Sequence, residues 1–220
     1  MKKFVIGDIH GELAKLKSVL EKSSFDKDVD LLITLGDYVD RGLDSFGVVE
    51  ELLTVKNRIS LMGNHDYWFL EYINSGIHPA EIYGRNTIKS YNGEIPQTHK
   101  EFFNSLLPYY VDDENRCFVH GGFNRHFKIG EQYMKDIYWW DRDLFAIALS
   151  HPKENKLKTK ENFSEIYVGH SPTQLWYKDT PINANIMWNL DTGCGKKNIN
   201  GMETKLTIMN LETKEFWQNN

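Results

Sequence analysis

Apolar residues in the first third of the chain fall into short unbroken runs with helically spaced ones between them. Residues 3–7 (KFVIG), 31–35 (LLITL) and 58–62 (RISLM) have the look of strands buried on both faces. Leu13, Leu16, Val19 and Leu20 recur at three- and four-residue spacing between the first two runs. Val48, Val49, Leu52 and Leu53 do so between the second and third. Strand and helix therefore alternate, which predicts a parallel βαβαβ unit. The aromatic-rich stretch 67–110 predicts two helices around a loop. A strand is expected at 116–119 (RCFV), a helix over 132–149 around Trp139, Trp140, Leu144 and Leu149, and a Lys-rich surface excursion over 151–163. Strands return at 165–169 (EIYVG), 186–191 (IMWNLD) and 204–217, the last a hairpin turning near Glu212 and Thr213. Without repeat or linker, the expectation is a single α/β domain over residues 1–220, with two sheets packed together.

Composition narrows the class. With 40% hydrophobic and 26% charged residues in 220, the chain is an ordinary globular protein rather than a disordered or fibrous one. A net charge of −5 argues against a general polyanion-binding surface, so no nucleic-acid partner is expected. The opening residues are apolar only briefly before Gly7 and Asp8, so no secretory signal is expected. No window approaches the ~18 apolar residues of a membrane span. The expectation is a soluble cytoplasmic protein with no membrane partner. Two cysteines, Cys117 and Cys194, make neither a disulfide framework nor a thiolate metal site, and are read as packing residues.

Chemistry concentrates after the strands. Gly7-Asp8-Ile9-His10-Gly11 follows the first, Gly36-Asp37-Tyr38-Val39-Asp40-Arg41-Gly42 the second, and Gly63-Asn64-His65-Asp66 the third. Ligands of open α/β sheets bind beyond the carboxyl ends of strands. One Asp-Gly pair there is an ordinary turn. Three such ends in succession, each with an acid, amide or imidazole, are a site. His120 in Val119-His120-Gly121-Gly122 and His170 in Gly169-His170-Ser171 share the setting. His78, His99, His126 and His151 do not, and are expected to be structural or exposed. The donor set Asp8, His10, Asp37, Asn64, His120 and His170 holds oxygen and nitrogen but no thiolate, which suits manganese, iron or zinc. Six donors are too many for one open catalytic ion; they fit two ions sharing a carboxylate.

GDIHG, GDYVDRG and GNHD, followed by HGG and GH, make the chain similar to the phosphoprotein phosphatase family of calcineurin-like metallophosphoesterases, and most of all to its small bacterial and phage members. The resemblance spans residues 7–171, and Asp191-Thr192-Gly193 also fits it. It implies a two-sheet β-sandwich flanked by helices, and two divalent metal ions, manganese first, with iron or zinc as the others. It implies that Asp8, His10 and Asp37 hold the first ion, that Asp37 bridges, and that Asn64, His120 and His170 complete the second. It further implies His65 as the catalytic histidine, Asp40 as its carboxylate partner, and Arg41 as a phosphate-binding arginine beside Asn64. Arg142 best matches the second arginine, and Arg125 is the competitor. Many members have Glu where this chain has Asp66, which leaves the geometry around that acid open. The segment Trp68–Tyr91 resembles a substrate-facing insertion, and simple helical packing explains most of its aromatics equally well.

The implied activity is phosphomonoester hydrolysis, most of all of a serine/threonine phosphoprotein or a small phosphoester. The alternatives are a symmetrical dinucleoside polyphosphate hydrolase and a broad-specificity phosphoesterase. Paired arginines favour the dianion of a terminal phosphate over a diester. An inactive binding module would have lost ligands, and every one is present.

Overall fold

Within each strand, alternate residues face opposite layers, and the sequence assigns them cleanly. The computed structural model describes residues 1–151 and 155–219. β1 (Lys3–Ile6), β2 (Leu31–Thr34) and β3 (Asn57–Ser60) run parallel, joined through α1 (Leu13–Lys22) and α2 (Ser45–Leu53). Phe4, Ile6 and Leu32 pack outward on Leu16, Val19, Val48 and Leu52 of the helices. Val5 and Ile33 point the other way.

Three helices follow rather than the expected two: α3 (Asn64–Ser75), α4 (Glu81–Ser90) and α5 (Gln97–Asn104). Local breakers explain the correction. Gly76 closes α3 in the left-handed conformation, Asn92 and Gly93 turn the chain after α4, and Pro96 precedes α5.

The second sheet begins with β4 (Tyr109–Val111) and β5 (Arg116–Val119). The helix expected over 132–149 is broken. A short α6 (Ile137–Trp140) is separated from α7 (Asp143–Ser150) by Asp141 and Arg142. Asp141 is extended, and its carboxylate accepts from Leu144 N (3.0 Å), capping α7. β6 (Glu165–Val168), β7 (Ile182–Ala184) and β8 (Met187–Asn189) complete this sheet, in the order β4-β5-β6-β8-β7 with β5, β6 and β8 parallel. Part of the expected surface excursion, residues 152–154, lies outside the described residues. The rest is pinned rather than loose, because Leu157 and Phe163 are buried in the second core. The chain returns through β9 (Thr207–Asn210) and β10 (Phe216–Gln218), the expected hairpin, to give the first sheet the order β10-β9-β1-β2-β3.

The sheets meet face to face. Val5, Ile33, Leu35 and Met209 of one pack with Phe118, Tyr167 and Leu190 of the other. The Phe118 and Tyr167 rings stack at 4.9 Å. A two-sheet α/β sandwich with flanking helices results, with three parallel strands in each sheet.

Candidate active site

Six parallel strands deliver their carboxyl ends to one place. Asp8 and His10 follow β1, Asp37, Asp40 and Arg41 follow β2, and Asn64 and His65 open α3 after β3. His120 follows β5, His170 follows β6, and Asp191 follows β8. All ten are buried or nearly so. Asp37 is central. Its Oδ2 lies 3.4 Å from His10 Nε2 and 3.5 Å from His120 Nε2. Gly63 makes the approach possible, because a Cβ there would sit 2.1 Å from Asp37 Oδ1.

The imidazole tautomers follow from the backbone. His10 Nδ1 faces Val39 O (2.9 Å) and His120 Nδ1 faces Leu35 O (2.8 Å). A carbonyl only accepts, so Nδ1 carries the proton and Nε2 turns its other valence inward. His10 Nε2, His170 Nε2 and Asp8 Oδ2 are buried and have no hydrogen-bond partner among the described residues. His120 Nε2 meets two further acceptors, Asn64 Oδ1 at 3.2 Å and Asp37 Oδ2. Acceptors this closely convergent need a cation, either the proton on His120 Nε2 or a metal ion. Asp8, Asp37 and His120 form one cluster with ligand atoms within 4.8 Å of one another. His10, Asp37 and His65 form another that shares Asp37. The donors fit divalent metal, with O and N ligands only.

Electrostatics agree. Burial, then the Asp191 charge, push the Asp8 carboxyl well above its ordinary range. Burial pushes Asp37 the same way, but the imidazoles of His120 and His65 prevail and hold it well below. Burial drives His10 well down and His170 to about 2. For His120, burial is outweighed by the Asp37 charge, which raises it to about 9.

Beside the cluster, His65 Nδ1–H donates to Asp40 Oδ2 (2.7 Å), and Arg41 Nη2 donates to His65 Nε2 (3.1 Å). Arg142 lies across the cavity, donating to His170 O (3.2 Å) and Ser171 Oγ (2.9 Å). Arg41, Arg142, His65 and the donors His10, Asp37, Asn64 and His170 face one cavity of about 340 Å³, which Arg125 does not reach. Asp66 answers the question its shortness raised: it accepts from Gly63 N (2.9 Å), Asp37 N (2.6 Å) and Tyr38 N (2.8 Å).

Sequence reasoning marked Trp68 and Tyr83 only as part of a segment resembling a substrate-facing insertion, and it missed Trp140 and Lys196. Trp68, Tyr83 and Trp140 line the cavity, and Arg41 sits 5.1 Å over the Tyr83 ring. Lys196 also lines it, paired with Asp191 (3.0 Å). Asp191 carried a signal of its own, its place after an apolar strand. His78, expected to be structural or exposed, is buried, with its Nε2 3.5 Å from Asp40 Oδ1.

The fold and this donor cluster define a metallophosphoesterase. Residues 1–195 match the family described as calcineurin-like phosphoesterase, and the chain belongs to that family. It is 40% identical over 206 residues to serine/threonine-protein phosphatase 1 of Salmonella typhimurium, covering 86% of this chain and 85% of that one. It is 44% identical to serine/threonine-protein phosphatase 2 of Escherichia coli over 73 residues, 33% of each chain. It is 45% identical to a symmetrical bis(5'-nucleosyl)-tetraphosphatase of Buchnera aphidicola over 67 residues, 30% of this chain and 24% of that one. The last two matches thus span a third or less of those relatives. Among solved structures, a metallophosphoesterase from Sphaerobacter thermophilus shares the fold, with a TM-score of 0.61, 16% identity, and coverage of 100% of this chain and 89% of that one. Among the described residues no helix is long and apolar enough to cross a membrane.

Proposed function

We propose that this protein is a serine/threonine protein phosphatase working with two divalent metal ions, manganese foremost, and that residues 1–220 form one catalytic domain. One observation carries the reading: Arg41, Arg142, His65 and Asp37 line one cavity, with Asp40 bonded behind His65 and both His10 and His120 within 3.5 Å of the Asp37 carboxylate. The 40% identity to a serine/threonine phosphatase over most of both chains supports the substrate class.

Asp8, His10 and Asp37 would hold one ion, and Asp37, Asn64, His120 and His170 the other. When bound, such ions supply the positive charge that polarises a phosphate ester and acidifies water. The rest falls to side chains. Arg41 and Arg142 bind phosphate oxygens through paired N–H groups and stabilise the charge of the transition state. A phosphate oxygen competes with His65 for Arg41 Nη2, which frees His65 Nε2 to carry a proton. His65 then gives that proton to the departing alkoxide, while Asp40 orients the ring and stabilises its charged form.

The test is a manganese-loaded substrate panel: a phosphoserine peptide, a phosphotyrosine peptide, a dinucleoside tetraphosphate and a bis-aryl phosphodiester. The expected result is the highest kcat/KM on the phosphoserine peptide. A preference for the dinucleoside tetraphosphate would replace this reading with the tetraphosphatase one.

A further inference from the structure

His78 lies between α3 and α4, outside the strand-end motifs, yet it is buried. Its Nδ1 accepts from Ala80 N (3.2 Å). In the neutral ring the proton is therefore on Nε2. Nε2 stands 3.5 Å from Asp40 Oδ1 and has no hydrogen-bond partner among the described residues. Burying an unsatisfied N–H destabilises by about 1–3 kcal/mol, so packing alone does not account for an imidazole here.

Gly84 supplies an independent observation. It sits inside α4, where glycine destabilises by roughly 0.5–1 kcal/mol relative to alanine. A Cβ at that position would lie 2.6 Å from His78 Cδ2 and Nε2. The glycine makes room for the imidazole. Two locally unfavourable choices, in different segments, thus keep one N–H beside Asp40.

Asp40 is fully buried. Its Oδ2 accepts from His65 Nδ1–H, and its Oδ1 accepts from the Thr87 hydroxyl (2.9 Å). Burial pushes its carboxyl up, and the His65 hydrogen bond and the neighbouring His78 imidazole offset this and hold it below the ordinary range.

We infer that His78 is a positioning residue: its Nε2–H, with Thr87, anchors Asp40 Oδ1 so that Oδ2 keeps the His65 ring aimed at the leaving group. The inference rests on the reading of His65 as proton donor. Donors on both carboxylate oxygens prevent rotation about the Asp40 Cβ–Cγ bond. The contact closes fully when His65 is charged, because catalytic hydrogen bonds are often long before substrate binds.

The test uses wild type, His78→Leu, His78→Gln and Gly84→Ala. Glutamine keeps an N–H near the Nε2 position, and Gly84→Ala displaces the ring without changing it. Proton NMR of the metal-free, ¹⁵N-histidine-labelled proteins follows the low-field His65 Nδ1–H signal. Kinetics with manganese follow a phosphoserine peptide and p-nitrophenyl phosphate. His78→Leu and Gly84→Ala should shift or broaden the signal. They should lower kcat on the peptide about 10-fold, with KM within about 2-fold and the aryl ester within about 3-fold. His78→Gln should restore the signal and bring kcat to within about 3-fold of wild type. An unmoved signal in both variants, or equal losses on both esters, overturns the inference. Should His78→Leu not fold, Gly84→Ala and His78→Gln decide it. Failure of the proton-donor reading shows separately, as equal losses on both esters in His65→Asn, and the NMR signal still reports whether His78 holds Asp40.

Discussion

Five of the site's residues sit in the left-handed region that side chains avoid: His10 (φ 50°), Asp37 (56°), Asp40 (69°), Arg41 (67°) and His170 (66°). Each such residue stores roughly 1–3 kcal/mol of strain, which the surrounding structure must over-determine. Backbone bonds do this: Ile9 N and His10 N both donate to Asp37 O, and Gly42 N donates to His10 O. The strain aims the donors inward. His65 is the residue whose role is most open to test. His65→Asn should lower kcat about 100-fold or more on a phosphoserine peptide and much less on p-nitrophenyl phosphate, whose leaving group needs no proton. Metal content measured by atomic emission should not change, since His65 already bonds Asp40 and Arg41. His120 gives a pH signature. Its folded value of about 9 lies above the ordinary ~6.5 of histidine. The stabilisation is complete below the ordinary value and is lost as pH rises through about 9. The Tm of the metal-free protein should therefore fall between pH 7 and 9.5. A cation must displace the same proton, so metal affinity should climb over that interval. Calorimetry at pH 7 in buffers of different ionisation enthalpy should register about one proton released from this ring. Identical heats in all buffers would mean that the ring is neutral before metal arrives.

Two helices hold the site from outside. The first turn of α3 places Asp66 where it satisfies three buried N–H groups, on Gly63, Asp37 and Tyr38. Asp66→Asn turns an NH₂ group toward one of those donors. It should destabilise by about 2–4 kcal/mol, read by urea unfolding, and should weaken metal binding because Asp37 loses its backbone anchor. The neutral result, an unchanged midpoint, would mean that water replaces the carboxylate. α4 acts on the strained Asp40–Arg41 step. Thr87 Oγ1 accepts from Asp40 N (2.8 Å), Tyr83 O accepts from Arg41 N (3.3 Å), and Asn86 Nδ2 donates to Arg41 O (2.7 Å). None of these helix residues belongs to a strand-end motif. Their apolar pattern showed a helix, and their polar contacts depend on where that helix docks.

At the scale of the molecule, the cavity exists because the two sheets pack with their parallel strands ending at one edge. Arg41 comes from the first sheet's connections and Arg142 from the break between α6 and α7 beside the second. A monoester dianion takes both guanidinium groups, whereas a diester carries one charge fewer and a substituent to be accommodated between them. The kcat/KM for an aryl monoester should exceed that for a matched diester at least ~10-fold, about 1.4 kcal/mol of transition-state binding. Arg142→Ala should narrow the ratio by harming the monoester more. A ratio unchanged by the substitution would remove Arg142 from substrate binding.

Period-two and period-3.6 patterns, read with the breakers, determined the first βαβαβ unit, the strands β5, β6 and β8 and the final hairpin. Local sequence suffices there because β1, β2, β5, β6 and β9 are buried on both faces and each helix on one. The metal donors were legible for a related reason: a short acid, amide or imidazole after a buried strand has little choice but to project beyond the sheet edge. What failed in the sequence reading failed where local signals compete. The aromatics of 67–110 mask the stops at Gly76 and Asn92–Gly93, and the apolar run of 137–149 hides the break at Asp141–Arg142 that brings Arg142 to the cavity. Trp68, Tyr83, Lys196, Thr87 and His78 reach the site only through tertiary docking. Their contacts join segments tens of residues apart, and no periodicity in one chain segment encodes the distance to another. The donor types were thus decided by the sequence, while the convergence of two sheets, which makes those donors a single cluster around Asp37, was decided by packing.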